Sequence, residues 1–174
     1  MTDFAPLLLG KDLRSLKKNN EVVLAVQDQS TFDELFALLW HHERPLVMRA
    51  ADAVEKITVK HKEFLVPHKV QLLSLLHGAI NKELKWHIAQ LLPRLPLTAA
   101  ELHDMWGVLS YWAQNPNESK IVRVNALQGL FDLCLQHEGL RPAFEKIMTN
   151  IHHEPIPSIQ ARIKKIRKTL DRAG

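Results

Sequence analysis

The chain has little of what marks disulfide-linked, membrane-spanning or strand-rich proteins. Its single cysteine, Cys134, excludes an internal disulfide and is typical of a reducing compartment. The apolar run at residues 5–9 is too short for the core of a signal peptide or for a membrane span. Six glycines and no Gly/Ser or Pro tract argue against a flexible linker. We therefore expect one soluble, cytoplasmic domain, residues 1–174, with no membrane partner.

The net charge of +4 is concentrated near the C-terminal end. Residues 158–174 contain six basic residues and one acid, a local charge of +5, whereas the rest of the chain has 17 basic and 18 acidic residues. The sequence thus describes a near-neutral body with a basic C-terminal helix. Many nucleic-acid-binding domains are instead basic over their whole surface.

Apolar residues recur at spacings of three and four along most of the chain, which predicts α-helices. The one strand-like run, residues 22–26, is short and isolated, and we interpret it as a short buried helix. Capping signals, such as Thr98 followed by Glu101, divide the pattern into helices that come in pairs. The predicted pairs are residues 30–60, 67–95, 98–138 and 140–172, after a shortened N-terminal capping pair in residues 1–28 with helices at 7–18 and 21–27.

A small residue occupies a similar place in the second helix of each pair. These residues are Ala51, Ala89, Ala126 and Ala161, at intervals of 38, 37 and 35 residues. A small side chain at a fixed position lets neighbouring helices approach closely. A two-helix unit with this period predicts an α-solenoid.

The second helices resemble the second-helix signature of HEAT repeats. The resemblance is carried by VMRAADAV at residues 47–54, with looser versions at residues 84–92 and 122–127, and it covers about residues 31–170. It implies an all-α fold, namely a short right-handed α-solenoid of about four HEAT-like helix pairs plus the capping pair. A closed bundle of the same helices is the competing architecture.

No residue pattern predicts catalysis, a cofactor or a metal site. The sequence has no Gly-rich phosphate loop, H-E-x-x-H or G-x-S-x-G motif. The adjacent histidines at residues 41–42 and 152–153 lie about three repeats apart and are not expected to share an ion. Adjacent residues on a helix also point about 100° apart, so the two members of each pair are expected to diverge. Cys134 and His137 are one helical turn apart, but Cys134 falls on a buried stripe, where an apolar thiol is the simpler interpretation.

The sequence predicts a non-catalytic binding module, because solenoids offer an extended concave surface. The expected partner is a protein or peptide. In HEAT-like proteins the second helices line the concave face, and Trp86 is expected there as a partly exposed anchor. The candidate binding surface combines cations of the second helices with those of the C-terminal helix: Arg49, Lys56, Lys85, Trp86, Arg94, Arg123, Arg162, Lys164, Lys165, Arg167 and Lys168.

The alternative is nucleic-acid binding through the same cations, of a DNA-repair-like kind, because some DNA glycosylases have a HEAT-like fold. No residue of this chain matches their catalytic residues. A continuous positive stripe from Arg49 through Arg123 to Arg162 would favour this alternative. A mixed-charge or apolar groove around Trp86 would favour a protein partner. The other three tryptophans, Trp40, Trp106 and Trp112, are expected in the core.

Overall fold

The computed structural model describes residues 4–8 and 16–173, and within them the chain forms ten α-helices and no strand. The helices, labelled α1 to α10, are Ala5–Leu8, Leu16–Ala25, Gln29–Ala37, Arg44–Thr58, Lys69–Gly78, Lys82–Leu91, Ala99–Gln114, Lys120–Gln136, Arg141–Ile151 and Pro157–Ala173. Short 3-10 segments lie at Leu38–Trp40, Lys62–His68, Leu92–Arg94 and Glu138–Leu140. The prediction of an all-α fold is confirmed. None of the described helices is both long and apolar enough to cross a membrane.

Capping boxes set the starts of two helices, α3 and α7. The expected capping box is present at α7, where the Glu101 carboxylate accepts the Thr98 N–H at 2.7 Å and the Thr98 hydroxyl accepts the Glu101 N–H at 3.3 Å. At α3, Asp28 accepts the Thr31 N–H at 2.8 Å, and the Thr31 hydroxyl accepts the Asp28 N–H at 3.3 Å. These reciprocal bonds satisfy backbone donors that the first helical turn leaves without partners.

The first two helices occupy the place of the predicted capping pair. α2 begins at Leu16, earlier than the predicted residue 21. Most of the predicted helix at 7–18 falls on residues 9–15, which lie outside the described residues. Residues 22–25 of the strand-like run lie in α2 and Val26 follows the helix, so the helical interpretation is confirmed for most of the run. Its burial is only partial, because Val22 and Val26 are buried but Leu24 is 73% exposed.

The described residues up to Val70 form one compact unit, in which α4 packs against α1, α2 and α3. The signature segment of α4 buries three alanines completely or almost so: Ala50, Ala51 and Ala53. Their small side chains allow the neighbouring helices to lie close to the α4 backbone.

The residues from Gln71 onward form a second compact unit centred on α8. α8 contacts the second helices α6 and α10 and also the first helices α7 and α9, which contact each other. Its core includes Leu109, Leu127, Leu130 and Phe144, all fully buried. Of the predicted pairs in this unit, α7 and α8 pack directly against each other. The other pairs, and one domain over residues 1–174, stay predictions.

Two predictions about individual residues are wrong. Ala161 is exposed, unlike Ala89 and Ala126, because the buried face of α10 is set by isoleucines and Ala161 lies roughly 200° around the helix from Ile159. Trp40 is 47% exposed at the end of a 3-10 segment rather than in the core. Trp112 is buried as predicted, and Trp106 is half-buried.

Candidate binding surface

The solvent-facing side of α8 carries the centre of the candidate surface. Ile121, Gln128 and Leu135 follow one another at intervals of seven residues, about two helical turns, so they lie on one line along the helix. Ile121 is 46% exposed and Leu135 is 59% exposed. Ala126 and Leu130 face the opposite way and are fully buried. We call the four residues Ile121, Gln128, Asp132 and Leu135 the α8 surface.

A chain of hydrogen bonds crosses the middle of the α8 surface. The Arg162 guanidinium of α10 donates to Gln128 Oε1, and Gln128 Nε2 donates to Asp132 Oδ1 at 2.7 Å. Arg94, just after α6, also attracts the Asp132 carboxylate electrostatically. The structure thus brings together two predicted cations, Arg94 and Arg162, around an acid that sequence reasoning missed. The i, i+4 spacing of Gln128 and Asp132 was the available signal.

Burial nevertheless raises the pKa of Asp132 above its ordinary value. Desolvation of the carboxylate is the largest effect, and the hydrogen bond from Gln128 and the attraction of Arg94 and Arg162 oppose it. A partly desolvated carboxylate is an energetic cost to the folded state that the Gln128 hydrogen bond and the attraction of Arg94 and Arg162 do not fully offset.

Replacing Asp132 with asparagine is expected to stabilise the protein at neutral pH. The raised pKa means that the folded state binds the proton more tightly than the unfolded chain. Wild-type stability therefore falls as pH rises from the unfolded value of 3.8 through the folded value. Asparagine does not titrate, so its advantage should be small in acid and grow across this window. Urea titrations at acid and neutral pH measure it, and a variant that is less stable than wild type at neutral pH would contradict the argument.

On α6, Lys85 is held inside the protein and Trp86 is partly exposed. The Lys85 ammonium pairs with Glu118, and the two side chains are only 17% and 13% exposed. The same ammonium lies 5.5 Å from the ring centre of Trp112, a cation–π contact. Trp86 is half-buried, with its ring against that of the buried His87. Lys85 is therefore already engaged, whereas Trp86 has the exposure expected of an anchor.

The prediction that Arg123 lies on a binding surface is wrong. Arg123 is 2% exposed, and its guanidinium donates to Glu154 Oε2 at 2.7 Å and to Glu154 Oε1 at 2.6 Å. Its Nε donates to the Ala113 carbonyl at 3.0 Å. A bidentate carboxylate and a carbonyl satisfy this buried cation, so Arg123 serves the interior rather than a partner.

The two predicted cations of the first unit also have partners within that unit. The Arg49 guanidinium donates to the Leu8 carbonyl of α1. Lys56 pairs with Asp52 one turn earlier on α4, at 2.7 Å, and both side chains are about one-third exposed. The charge of Lys56 is therefore partly compensated, although surface ion pairs of this kind are weak.

The last predicted cations, Lys164, Lys165, Arg167 and Lys168, are all exposed on α10. As predicted, the helix is held by its apolar face: Ile159, Ile163, Ile166 and Leu170 are buried. An open groove of about 480 Å³ runs along one side of the helix. We call it the α10 groove, and it is lined by His152, Gln160, Ile163, Lys164, Arg167, Lys168, Asp171 and Arg172. Lys165 is not among its lining residues.

In the described part of the chain, one group of three metal-ligand side chains lies close together. Its members are His41, His42 and Glu43, whose ligand atoms are within 4.8 Å of one another. Sequence reasoning expected adjacent histidines to diverge as on a helix, but these residues follow a 3-10 segment, and the two rings stack at 4.2 Å. Exposed groups of this kind are common without an ion, so the absence of a metal site stays a prediction.

The only cysteine is buried, as its position on an apolar stripe predicts. Burial raises the pKa of the Cys134 thiol to about 12, and the nearby Glu145 carboxylate adds to the shift. His137 is exposed beyond the end of α8. A thiol with such a high pKa is protonated at neutral pH, whereas nucleophilic cysteines have lowered pKa values.

Comparison with known proteins identifies the repeat. A family model described as HEAT repeat domain matches residues 11–170, nearly the whole chain. No curated protein and no solved structure matches the sequence.

Proposed function

Because the chain belongs to the HEAT repeat family, we propose that it is a non-catalytic scaffold that binds a protein or peptide partner. HEAT repeats are generally protein-interaction scaffolds. Within this chain, the surface that best supports such a role is the α8 surface.

The exposed apolar residue at each end of the α8 surface carries the proposal. Ile121 and Leu135 are separated by 14 positions, or about 21 Å along a helix. A partner that covers both would remove two large aliphatic side chains from water, which is the main source of binding free energy at interfaces. Between them, the hydrogen bonds from Arg162 to Gln128 and on to Asp132 hold polar groups in fixed positions. Groups that are already ordered lose less entropy on binding.

This arrangement suits a partner with two apolar side chains about 21 Å apart and polar groups between them. An extended segment of roughly six residues spans that distance at about 3.3 Å per residue. A helix of about four turns spans it as well. Trp86 on α6 is the candidate for a further aromatic contact.

Nucleic-acid binding has less support from the described residues. The expected positive stripe needs Arg123 at its centre, and Arg123 is buried and paired with Glu154. Lys85 is likewise enclosed with Glu118. The α8 surface is apolar at its ends and contains an acid, which is unfavourable for contact with phosphates.

Site-specific photo-crosslinking tests the proposal. A benzophenone amino acid at position 135 should form an adduct with a protein in extracts of the source cells, and Ile121→Glu should reduce its yield about tenfold or more by placing a charge in an apolar contact. Position 80 is the matched control, because Ile80 is 91% exposed but lies outside the helices.

Three outcomes of the crosslinking experiment would contradict the proposed binding surface. No adduct at position 135, an equal adduct at position 80, or an adduct unaffected by Ile121→Glu would each contradict the proposal. An adduct that nuclease removes and protease does not would instead support the nucleic-acid alternative.

A further inference from the structure

We propose that the α10 groove is a second docking site, which binds an acidic segment of a protein partner. The inference rests on the proposed role as a protein-binding scaffold, but it concerns a different surface from α8. The groove is where the charge of the chain is both concentrated and accessible.

The cations of the α10 groove differ from the other predicted cations in their surroundings. Lys164, Arg167, Lys168 and Arg172 are exposed, and within the described residues none of them forms an ion pair with a carboxylate. By contrast, Lys56, Lys85 and Arg123 each pair with an acid. The +5 charge of residues 158–174 is therefore largely available to an outside ligand.

Helical spacing places these cations on one side of α10. Lys164, Arg167, Lys168 and Asp171 stand at i, i+3, i+4 and i+7, which share a helix face. This face is next to the buried one, so Ile163 reaches the groove as an apolar element of its lining. His152, from the end of α9, adds an imidazole on the far side. The groove therefore combines several cations with the edge of one apolar side chain.

The dimensions and the single acid favour a peptide over a nucleic acid. From Lys164 to Arg172 the helix rises about 12 Å, a length that roughly four residues of extended chain cover. Asp171 lies among the cations, where a regular row of phosphates would place negative charge against it. A peptide can present a backbone N–H or an apolar side chain at that point and carboxylates on either side. Charge complementarity thus selects an acidic protein segment.

Fluorescence anisotropy with a labelled, leucine-containing glutamate-rich peptide tests this inference. Wild-type protein should bind it, and binding should weaken about tenfold or more when glutamine replaces glutamate in the peptide. Lys168→Glu should weaken binding of the glutamate peptide about tenfold, because it turns an attraction into a repulsion at the groove. Lys165→Glu is the matched control: it makes the same charge change at another exposed lysine of α10, and we expect less than about a twofold effect in physiological salt.

Other outcomes would overturn the inference. These are no binding of the glutamate peptide in about 50 mM salt, equal losses for Lys168→Glu and Lys165→Glu, or tighter binding of a labelled oligonucleotide than of the peptide. Circular dichroism of both variants checks that they fold. Ile121→Glu should leave the affinity for the peptide unchanged, because it alters only the α8 surface. The proposal for the α10 groove and the proposal for the α8 surface can therefore fail independently.

Discussion

Replacing Glu154 with alanine is expected to lower the free energy of unfolding by about 3 kcal/mol. The variant leaves the Arg123 guanidinium buried with only the Ala113 carbonyl as acceptor, because both hydrogen bonds to the carboxylate are lost. Breaking a buried ion pair on one side typically costs about 3–5 kcal/mol. We expect the lower end because Glu154 is 28% exposed, so water can replace part of the lost carboxylate.

Urea titration followed by tryptophan fluorescence measures this change in the free energy of unfolding, provided that all the tryptophans lie in the second unit. Of the four tryptophans, only Trp40 lies before Gln71, so a Trp40→Phe background makes fluorescence report residues 71–173. Asp104→Ala is the matched control, since it removes the carboxylate of an exposed pair with His77 whose side chains are 52% and 57% exposed. That change should cost less than about 1 kcal/mol.

A double variant separates burial of charge from loss of packing. Arg123→Met with Glu154→Leu removes both charges and keeps much of the side-chain volume, so it should be more stable than Glu154→Ala alone. If Glu154→Ala were no more destabilising than Asp104→Ala, the guanidinium would not depend on this carboxylate, and our account of Arg123 would be wrong.

Replacing Gly129 with alanine is expected to destabilise the protein by about 1–3 kcal/mol. A Cβ at this position would lie 2.4 Å from the Ala89 carbonyl oxygen of α6, 3.2 Å from Leu109 and 3.4 Å from Pro93. The first contact is with the backbone, which cannot rotate away as a flexible side chain would. The overlap should therefore outweigh the gain of about 1 kcal/mol that alanine usually brings to a helix interior.

Gly107 provides the control for Gly129 within the same unit. It lies inside α7 and is exposed, and a Cβ added there would meet no atom of a neighbouring element within 4 Å. Gly107→Ala should therefore raise stability by about 0.5–1 kcal/mol. Urea titration of both variants gives opposite signs if α6 and α8 meet as described, whereas a stabilising Gly129→Ala would contradict the close approach of these helices.

These two sites also show where sequence reasoning reached its limit. The three- and four-residue spacing predicted the helices, and Thr98 with Glu101 predicted one helix start, because both signals are local. Arg123 looked like a surface cation because its partner Glu154 is 31 residues away in a turn. Gly129 is needed because two helices cross at this position with their backbones close together. The spacing of apolar residues within one helix does not indicate where another helix crosses it.

The candidate binding surface could likewise be predicted from the sequence only in part. Exposure of the cations on α10 could be predicted, because its isoleucines define the buried face and leave the other sides to solvent. The meeting of Arg94 and Arg162 around Asp132 could not, because it joins residues from three helix pairs in sequence. Histidines 41 and 42 were expected to diverge, and they stack because the chain leaves helical geometry before them.

The bond between Arg123 and Glu154 also bears on how far local opening spreads along the repeats. It joins α8 to the turn after α9. The side-chain amide of Gln160 on α10 donates to two carbonyl oxygens of the same turn, that of His152 at 2.6 Å and that of Glu154 at 2.9 Å. In a linear array of repeats, stability depends on each unit and on its coupling to the next. This turn thus couples two successive helix pairs, and we expect the basic helix to open together with α8 rather than to fray alone.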